Sequence, residues 1–155
     1  MSDSEFRGLR RAADYQFGRD AGEALFPARS AVDITHTSSG RPRQIHADDG
    51  RLATYATDGR FVLGLAGGRC LQTAFETPRH RVVVGSESEP FVREGRNTFA
   101  KFVQQADAQL RPGDEALVVH ENGDLLAVGR AELPGNGIAD FETGMAVKVR
   151  QGADG

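Results

Sequence analysis

The N-terminal segment has apolar residues at the spacing of an α-helix. An apolar residue recurs every three or four positions: Phe6, Leu9, Ala13 and Phe17. This pattern places them on one stripe of a helix, and Ser2 and Glu5 have the spacing of a capping box at its start. Gly18 is typical of a helix end, and Asp20 would cap a short second helix that Pro27 terminates. We therefore expect two helices before residue 28.

From about residue 31 the apolar positions follow the shorter period of β-strands. Four short apolar runs lie between residues 32 and 63, and two of the turns between them contain Asp49-Gly50 and Asp58-Gly59. Asp-Gly favours a hairpin because glycine tolerates a positive φ and the aspartate side chain can bond its own backbone. The pattern predicts a meander of about four strands, followed by a helix over residues 66–75 that ends before Pro78.

The second half of the chain has the pattern of short strands joined by small helical connections. The predicted strands cover residues 81–85, 98–103, 115–120, 125–133 and 146–150. Five strands in so short a segment favour a small closed or nearly closed barrel, since closure removes exposed strand edges. The expected fold is α+β: a helix-plus-antiparallel-sheet domain at 1–78, a β pseudo-barrel at 79–151 and a disordered tail at 152–155.

The charged residues argue against a strongly basic nucleic-acid-binding protein. The 155 residues include 19 Lys+Arg and 22 Asp+Glu, for a net charge of −3. Only Lys101 and Lys148 are lysines, and the other basic residues are arginines, which a GC-rich genome explains. When the chain is divided after Arg79, the first part has a net charge of +1 and the second part −4. Nucleic-acid binding would therefore require a local basic patch rather than an overall positive charge.

The sequence gives no sign of a membrane or exported protein. The apolar runs fall far short of the roughly 20 residues needed to span a bilayer. The N-terminus is acidic, whereas a secretory signal begins with basic residues. Cys70 is the single cysteine, so neither an intramolecular disulfide nor a multi-cysteine zinc site is expected. We expect a cytoplasmic protein with no membrane partner and no structural metal.

Residue patterns that carry catalysis are scarce. The four histidines, at positions 36, 46, 80 and 120, are too scattered for metal-ligand spacing on a helix. The glycine-rich segment Gly64–Arg69 lies between a predicted strand and a predicted helix, as phosphate-binding loops do, but it lacks the Lys-Ser/Thr of a P-loop. A tight strand-to-helix connection explains it better. We expect no catalytic residues and no cofactor, and an enzyme that binds a nucleotide-like ligand at this segment is the least favoured hypothesis.

The last predicted strand presents basic residues on one side. Because side chains alternate across a strand, Lys148 and Arg150 share the face opposite Val147 and Val149. Further cations lie in or just before the strand predicted at 98–103, with glycines nearby that would let a ligand approach the backbone: Arg93, Arg96, Lys101, Gly95 and Gly144. The spacing alone fits a phosphate-binding surface and a solvated barrel face equally well.

The second half of the chain also resembles a PUA domain, the small RNA-binding pseudo-barrel named after pseudouridine synthases and archaeosine transglycosylases. Four ordered segments carry this resemblance: Pro90–Val103, Leu110–Glu115, Gly123–Ala131 and Gly144–Arg150. The first half resembles the pre-PUA domain that precedes PUA in archaeal tRNA-guanine transglycosylase and archaeosine synthase. Its matching segments are Ala12–Phe26 and Asp58–Phe61. Together the two resemblances cover nearly the whole chain.

The resemblance implies an RNA-binding accessory protein rather than an enzyme. The transglycosylases carry their catalytic aspartates and zinc-binding cysteines in a separate barrel domain, which 155 residues with one cysteine do not contain. A stand-alone protein of this kind, from a haloarchaeal source by its low lysine content, is expected to bind tRNA in the acceptor region. It would support a transglycosylase-like enzyme in tRNA modification such as archaeosine formation. The implied RNA contacts lie on the first helix, next strand and terminal strand of the PUA domain: Arg93, Gly95, Arg96, Lys101, Lys148 and Arg150.

A second hypothesis belongs to a different class. The chain would be a protein-interaction subunit of an RNA-modification complex and would have no RNA affinity of its own. The net negative charge of the second half favours this alternative. The two hypotheses use the same domain and differ in whether its surface binds RNA.

Overall fold

The computed structural model describes residues 2–154, and the chain divides into two compact units, Met1–Ala74 and Phe75–Gly155. No helix between residues 2 and 154 combines the length and the apolar character that crossing a lipid bilayer requires. Each unit has its own sheet, with four strands in the first and six in the second. Helices accompany both sheets, so the predicted α+β class is confirmed.

Helix α1 (Asp3–Phe17) confirms the interpretation of the N-terminal pattern. The Ser2 hydroxyl caps its first turn by accepting the Glu5 backbone N–H at 3.0 Å. Its buried residues are the predicted apolar stripe of Phe6, Leu9, Ala13 and Phe17. The helix ends at Gly18, which has a φ of 112° that residues with a Cβ rarely adopt.

Helix α2 (Ala21–Leu25) begins differently from the prediction. Asp20 has a left-handed conformation with a φ of 73°, and its side chain makes no capping hydrogen bond. Asp14 of α1 acts instead, because its Oδ1 accepts the Gly22 backbone N–H at 2.7 Å. The helices approach so closely that a Cβ on Gly22 would lie 2.3 Å from the Arg10 carbonyl oxygen. Tertiary packing therefore replaces the local cap that the sequence suggested.

The first sheet is the predicted antiparallel meander. Its strands are hydrogen-bonded in chain order: β1 (Asp33–His36), β2 (Pro42–Ala47), β3 (Gly50–Tyr55) and β4 (Phe61–Leu63). Helix α3 (Leu65–Ala74) follows β4 and packs on β3. A glycine makes this contact feasible, because a Cβ on Gly67 would lie 2.0 Å from the Leu52 carbonyl oxygen. The glycine-rich connection thus serves close packing of helix on sheet.

The second unit contains a six-stranded sheet and the short helix α4 (Glu89–Arg93). Its strands are β5 (Arg81–Val84), β6 (Thr98–Phe99), β7 (Val103–Ala106), β8 (Glu115–His120), β9 (Leu125–Ala131) and β10 (Met145–Gly152). Their order across the sheet is β6-β10-β9-β8-β5-β7. Strands β5 and β8 are parallel, and the other neighbouring pairs are antiparallel.

The strand predicted at residues 98–103 is interrupted. A 3-10 turn, Ala100–Phe102, separates β6 from β7. Ala100 is buried, and its N–H bonds the Gly144 carbonyl oxygen at 3.0 Å, which bends the chain away from β10. One short segment therefore supplies the strands at both ends of the sheet order, β6 beside β10 and β7 beside β5. This arrangement curls the sheet into a nearly closed barrel, as the sequence predicted.

Aliphatic side chains from five of the six strands, all except β6, fill the barrel interior. Val84, Val118, Leu126 and Val147 are fully buried, and Val92 of α4 packs against the same core. Burial of this apolar surface is the main contribution that holds the strands in register. Strands β5, β8 and β9 are buried on both faces at nearly every position, whereas β10 has the exposed residues Lys148 and Arg150 on its outer face. The outer face of β10 is therefore where this sheet can form a surface site.

The end of the chain differs from the expected disordered tail. Strand β10 continues to Gly152, and the Ala153 N–H bonds the Leu126 carbonyl oxygen at 2.8 Å. The Asp154 N–H bonds the Arg93 carbonyl oxygen at 2.9 Å. Residues 152–154 are thus hydrogen-bonded to α4 and to β9. Gly155, the last residue of the expected tail, lies outside the described residues.

Candidate nucleic-acid interface

Three phenylalanines of the second unit, two exposed and one half-buried, form an aromatic cluster. Phe91 lies on α4, Phe99 on β6 and Phe102 on the 3-10 turn that follows. Phe91 is 52% exposed and Phe99 48%, although large apolar side chains are normally buried. Exposed aromatic surface of this kind often marks an interaction site. We refer to Phe91, Phe99 and Phe102 as the aromatic cluster.

Two of the predicted RNA-binding residues lie against this cluster. The Arg96 guanidinium lies 5.8 Å from the centroid of the Phe91 ring, and the Lys101 ammonium lies 5.0 Å from that of Phe102. Both cations are exposed, and neither forms an ion pair with a carboxylate of residues 2–154. Ring faces hold cations by weak attraction and do not neutralise their charge. The charge of both side chains is therefore available to a ligand.

Two cavities open beside the aromatic cluster and share Phe99 and Phe102. The first, of about 210 Å³, is also lined by Phe91 and Arg96. The second, of about 390 Å³, is also lined by Lys101. The structure thus brings Arg96 and Lys101 to the two sides of one aromatic surface.

Lys148 lies on the outer face of β10, where it is exposed as predicted. It is directly opposite Arg130 of β9, and this arginine is exposed too. Like charges opposite each other destabilise a sheet, and Arg130 is balanced in part by Glu132 at 3.0 Å. The neighbouring residue, Val147, pairs with Thr98 of β6. Lys148 therefore lies one strand away from the aromatic cluster.

Arg93 and Arg150 are held by carboxylates. Arg93 has three acidic neighbours: Glu89 at 3.6 Å, Asp124 at 3.5 Å and Asp154 at 3.8 Å. Arg150 forms a two-pronged ion pair with Glu115, which lies two strands away on the same face and is largely buried. Their charge is already compensated, in contrast to that of Arg96, Lys101 and Lys148.

Gly95 ends α4 and has a φ of 102°, which favours glycine. It is exposed, and nothing lies within 4 Å of the position of a Cβ, so its backbone is accessible. The close contact lies at Gly152, where a Cβ would come within 2.3 Å of the Arg93 carbonyl oxygen. This contact fixes the end of α4 against β10.

Two features that resemble catalytic groups have structural explanations. His120 Nδ1 accepts the Asn122 backbone N–H at 3.0 Å, so the proton is on Nε2, which donates to the Ser86 hydroxyl at 2.9 Å. In that tautomer the imidazole cannot take a proton from the serine.

The single cysteine, Cys70, is not activated as a nucleophile. Burial, and then the charge of Asp49, raise the pKa of its thiol, which disfavours the reactive thiolate. Residues 2–154 contain no group of three or more metal-ligating side chains.

Sequence reasoning identified the cations of this surface and missed its aromatic cluster and Arg130. The three phenylalanines belong to three separate elements, α4, β6 and the 3-10 turn, and the sequence pattern does not show that these elements bring the rings together. The sequence did contain a usable signal, because the segment Pro90–Val103 has three phenylalanines together with Arg96 and Lys101. Stacking surfaces for nucleic-acid bases combine these residue types.

Comparison with known families covers almost all of the chain. Residues 7–78 match the model of the patch-forming domain C2 of tRNA-guanine transglycosylase, and residues 80–153 match that of the PUA domain. The chain is a C2 domain followed by a PUA domain. Both are RNA-binding domains without catalytic function, as the sequence predicted. The surface described above lies on the PUA domain.

Relatives and solved structures agree with this assignment. The tRNA-guanine(15) transglycosylase of Thermococcus kodakarensis is 48% identical over 143 residues, which are 92% of this chain and 24% of that enzyme. The chain thus spans about a quarter of the length of the curated relatives it matches. A hypothetical protein from Pyrococcus horikoshii has the same fold, with a TM-score of 0.75 at 21% identity over 99% of this chain and 92% of that one. A PUA domain protein from Thermoplasma acidophilum has a TM-score of 0.62 at 19% identity, over 98% and 91%.

Proposed function

We propose that this chain binds tRNA through its PUA domain and acts as a non-catalytic accessory to tRNA modification. The observation that carries the proposal is the group of three exposed cations, Arg96, Lys101 and Lys148, that surrounds or adjoins an exposed aromatic cluster. Cations bind the phosphates of RNA, and exposed aromatic rings stack on its unpaired bases. A chain with a net charge of −3 needs such a local site to bind RNA.

The six predicted contacts contribute unequally in this proposal. Arg96, Lys101 and Lys148 bind phosphates directly, because no ion pair with the rest of residues 2–154 competes for them. Arg93 and Arg150 share their donors with carboxylates and contribute less. Gly95 offers accessible backbone at the end of α4. The site therefore extends from the α4–β6 connection to the outer face of β10.

The RNA we propose is tRNA, contacted in its acceptor region. The relatives are named as tRNA-guanine(15) transglycosylases, and their shared segment comprises the C2 and PUA domains described here. We propose that this chain serves an enzyme of that kind, for example in archaeosine formation. A basic and aromatic surface without catalytic groups suits delivery or positioning of tRNA for a partner enzyme.

A salt titration tests the proposal. Each phosphate contact releases condensed counterions, so the Arg96→Ala, Lys101→Ala and Lys148→Ala variants should each flatten the slope of log K against log salt by about 0.7 to 0.9. Binding of purified tRNA to the full chain is measured by fluorescence anisotropy at several salt concentrations. The matched control is Arg111→Ala, which removes an exposed cation from a turn of the same domain.

The titration also separates the two hypotheses. Equal slopes for the control and the three variants would show that tRNA does not use this surface. A wild-type chain that binds no tRNA at low salt would instead support the protein-interaction subunit, whose acidic surface repels RNA. Neutralising exposed side chains should change the free energy of unfolding by no more than about 0.5 kcal/mol, so altered binding would not reflect misfolding.

A further inference from the structure

Helix α1 of the first unit has two arginines and a tyrosine along its exposed side. Arg7, Arg11 and Tyr15 follow one another at intervals of four residues, and all three are exposed. Residues at this spacing lie on one face of a helix, about 6 Å apart along its axis. Arg19, just beyond the end of α1, is a further exposed cation. We refer to Arg7, Arg11 and Tyr15 as the α1 stripe.

The charge of the two arginines is not compensated, because the acidic side chains of α1 have other partners. Each of these acidic side chains bonds a different element: Asp3 bonds Arg29, Glu5 bonds His36, and Asp14 bonds the Gly22 backbone N–H. Neither Arg7 nor Arg11 forms an ion pair or a side-chain hydrogen bond within residues 2–154. Both guanidinium groups are therefore available to an anionic ligand.

A third arginine of the same helix has a structural role that the stripe lacks. Arg10 Nε donates to the Phe26 carbonyl oxygen at 2.8 Å, and its Nη2 donates to the Pro27 carbonyl oxygen at 2.6 Å. These bonds fix the segment after α2 to α1. Since Arg7 and Arg11 make no such bonds within the described residues, the packing of the first unit does not account for them.

Tyr15 adds an aromatic ring to this cationic surface. It is 95% exposed, whereas Phe17, two positions later, is 2% exposed and belongs to the core. A ring this exposed contributes almost no buried area to folding. Single exposed apolar residues are common on protein surfaces. The indication of a binding site is therefore the combination of the ring with two uncompensated arginines on one helix face.

The composition of this face favours RNA as the ligand. The centre of a protein interface is depleted of charged residues, whereas the exposed residues of α1 include no aliphatic side chain. A second copy of the same face would oppose arginine to arginine. A membrane would need the apolar side of α1, which is buried within the unit. RNA offers phosphates to the arginines and unpaired bases to the ring.

We propose that the α1 stripe is a second RNA contact of this chain, with no residue in common with the site on the second unit. Arg7 and Arg11 bind neighbouring phosphates, and Tyr15 stacks on an unpaired base beside them. The inference rests on the proposed tRNA binding and extends it from one unit to both. Two contacts with one tRNA strengthen binding, because the second forms at the high effective concentration that the first creates.

Salt titrations of tRNA binding to the full chain test the two arginines. The double variant Arg7→Gln with Arg11→Gln removes two phosphate contacts and should flatten the slope of log K against log salt by about 1.4 to 1.8. The matched control is Arg43→Gln with Arg69→Gln, which removes two exposed cations of the first unit from β2 and α3. This control should retain the wild-type slope. Equal slopes for the two double variants would overturn the proposal.

Substitutions of Tyr15 test the stacking contact. Tyr15→Ala should weaken tRNA binding by about tenfold and leave the salt slope unchanged, because stacking releases no counterions. Tyr15→Phe retains the ring and should bind as the wild type does. Equal losses in Tyr15→Ala and Tyr15→Phe would overturn the stacking role. Urea unfolding should give the wild-type midpoint for both variants, because the side chain is exposed.

A combined variant separates this inference from the proposal on which it rests. Adding Lys101→Ala to the Arg7/Arg11 double variant should give the sum of the separate slope changes, as independent contacts do. Weaker binding by Lys101→Ala alone, with normal binding by the double variant, would overturn the α1 contact and leave the second-unit site intact. The reverse result would support the α1 contact and overturn the second-unit site.

Two further measurements complete the test. Sedimentation that shows a dimer of the wild type and a monomer of the Arg7/Arg11 double variant would overturn the proposal, because a second copy of the chain would then cover the stripe. If the wild-type chain binds no tRNA at low salt, the α1 contact fails together with the proposed function.

Discussion

At the scale of single residues, the partners of a cation decide whether it can bind RNA. Arg93 and Arg96 are three positions apart, yet Arg93 has three carboxylate neighbours and Arg96 lies over an aromatic ring. The acidic partners of Arg93 come from positions as distant as 124 and 154. Sequence spacing can indicate that a cation is exposed, but it cannot show which distant carboxylate compensates its charge.

The ion pair between Glu115 and Arg150 yields a prediction at this scale. Glu115→Gln removes a largely buried carboxylate and the ion pair that it forms with Arg150 on the outer face of β10. We expect stability to fall by about 1–3 kcal/mol, since a charged hydrogen-bonded partner is lost. Affinity for tRNA should rise, because a negative charge leaves the binding face. Urea unfolding and anisotropy titrations measure the two effects.

A control separates this local effect from a general change of net charge. Glu121→Gln removes the same charge from an exposed position, so its stability should stay within about 0.5 kcal/mol of wild type. If Glu115→Gln and Glu121→Gln raise tRNA affinity equally, Arg150 is not part of the binding face. If Glu115→Gln lowers affinity without unfolding the chain, the ion pair positions the surface instead of masking it.

At the scale of elements, local patterns predicted most of the secondary structure. Helix α1, the four-stranded meander and the strands β8 to β10 follow from apolar periodicity and turn residues close in sequence. The three errors concern the start of α2, the segment 98–106 and the end of the chain, and all three arise from non-local contacts. Asp14 caps α2 across a helix pair, and the segment at 98–106 divides into two strands because it pairs with β10 at one end and β5 at the other.

The contact of α4 with β10 is tested by a pair of glycine variants. In Gly152→Ala, the new Cβ would lie 2.3 Å from the Arg93 carbonyl oxygen and 2.7 Å from the Gly95 nitrogen, so backbone must move. We expect a loss of about 1–3 kcal/mol in stability, typical of overpacking. Binding of tRNA should weaken as well, because α4 carries Phe91 of the aromatic cluster.

Gly8→Ala is the contrasting variant. Gly8 lies inside α1, and nothing lies within 4 Å of the position of its Cβ. Alanine there should increase stability by about 0.5–1 kcal/mol, because glycine is the poorer helix former. Urea unfolding followed by circular dichroism measures both variants. Equal stability of Gly152→Ala and the wild type would show that α4 is not fixed against β10 at this point.

At the scale of the whole molecule, the net charge argues against RNA binding, whereas the domain content argues for it. The net charge of −3 and an isoelectric point near 5.8 suggest a poor RNA binder, whereas the domain content is that of an RNA-binding protein. The structure places acidic partners on Arg93 and Arg150 and none on Arg96, Lys101 and Lys148 within residues 2–154, and in our proposal these three cations form the local basic site for RNA. The family resemblance predicted RNA contacts at these cations from the sequence, whereas the aromatic cluster beside them became visible only once α4, β6 and the following 3-10 turn were in place.

The last prediction concerns activity. The match to the transglycosylases covers the C2 and PUA domains and 24% of the length of such an enzyme. Both matched domains are RNA-binding domains without catalytic function. We therefore expect the purified chain to bind tRNA without exchanging guanine into it, which incorporation of labelled guanine measures. Exchange that is lost when one residue of this chain is substituted would contradict the accessory role, because the reacting group would then lie in the C2 or PUA domain.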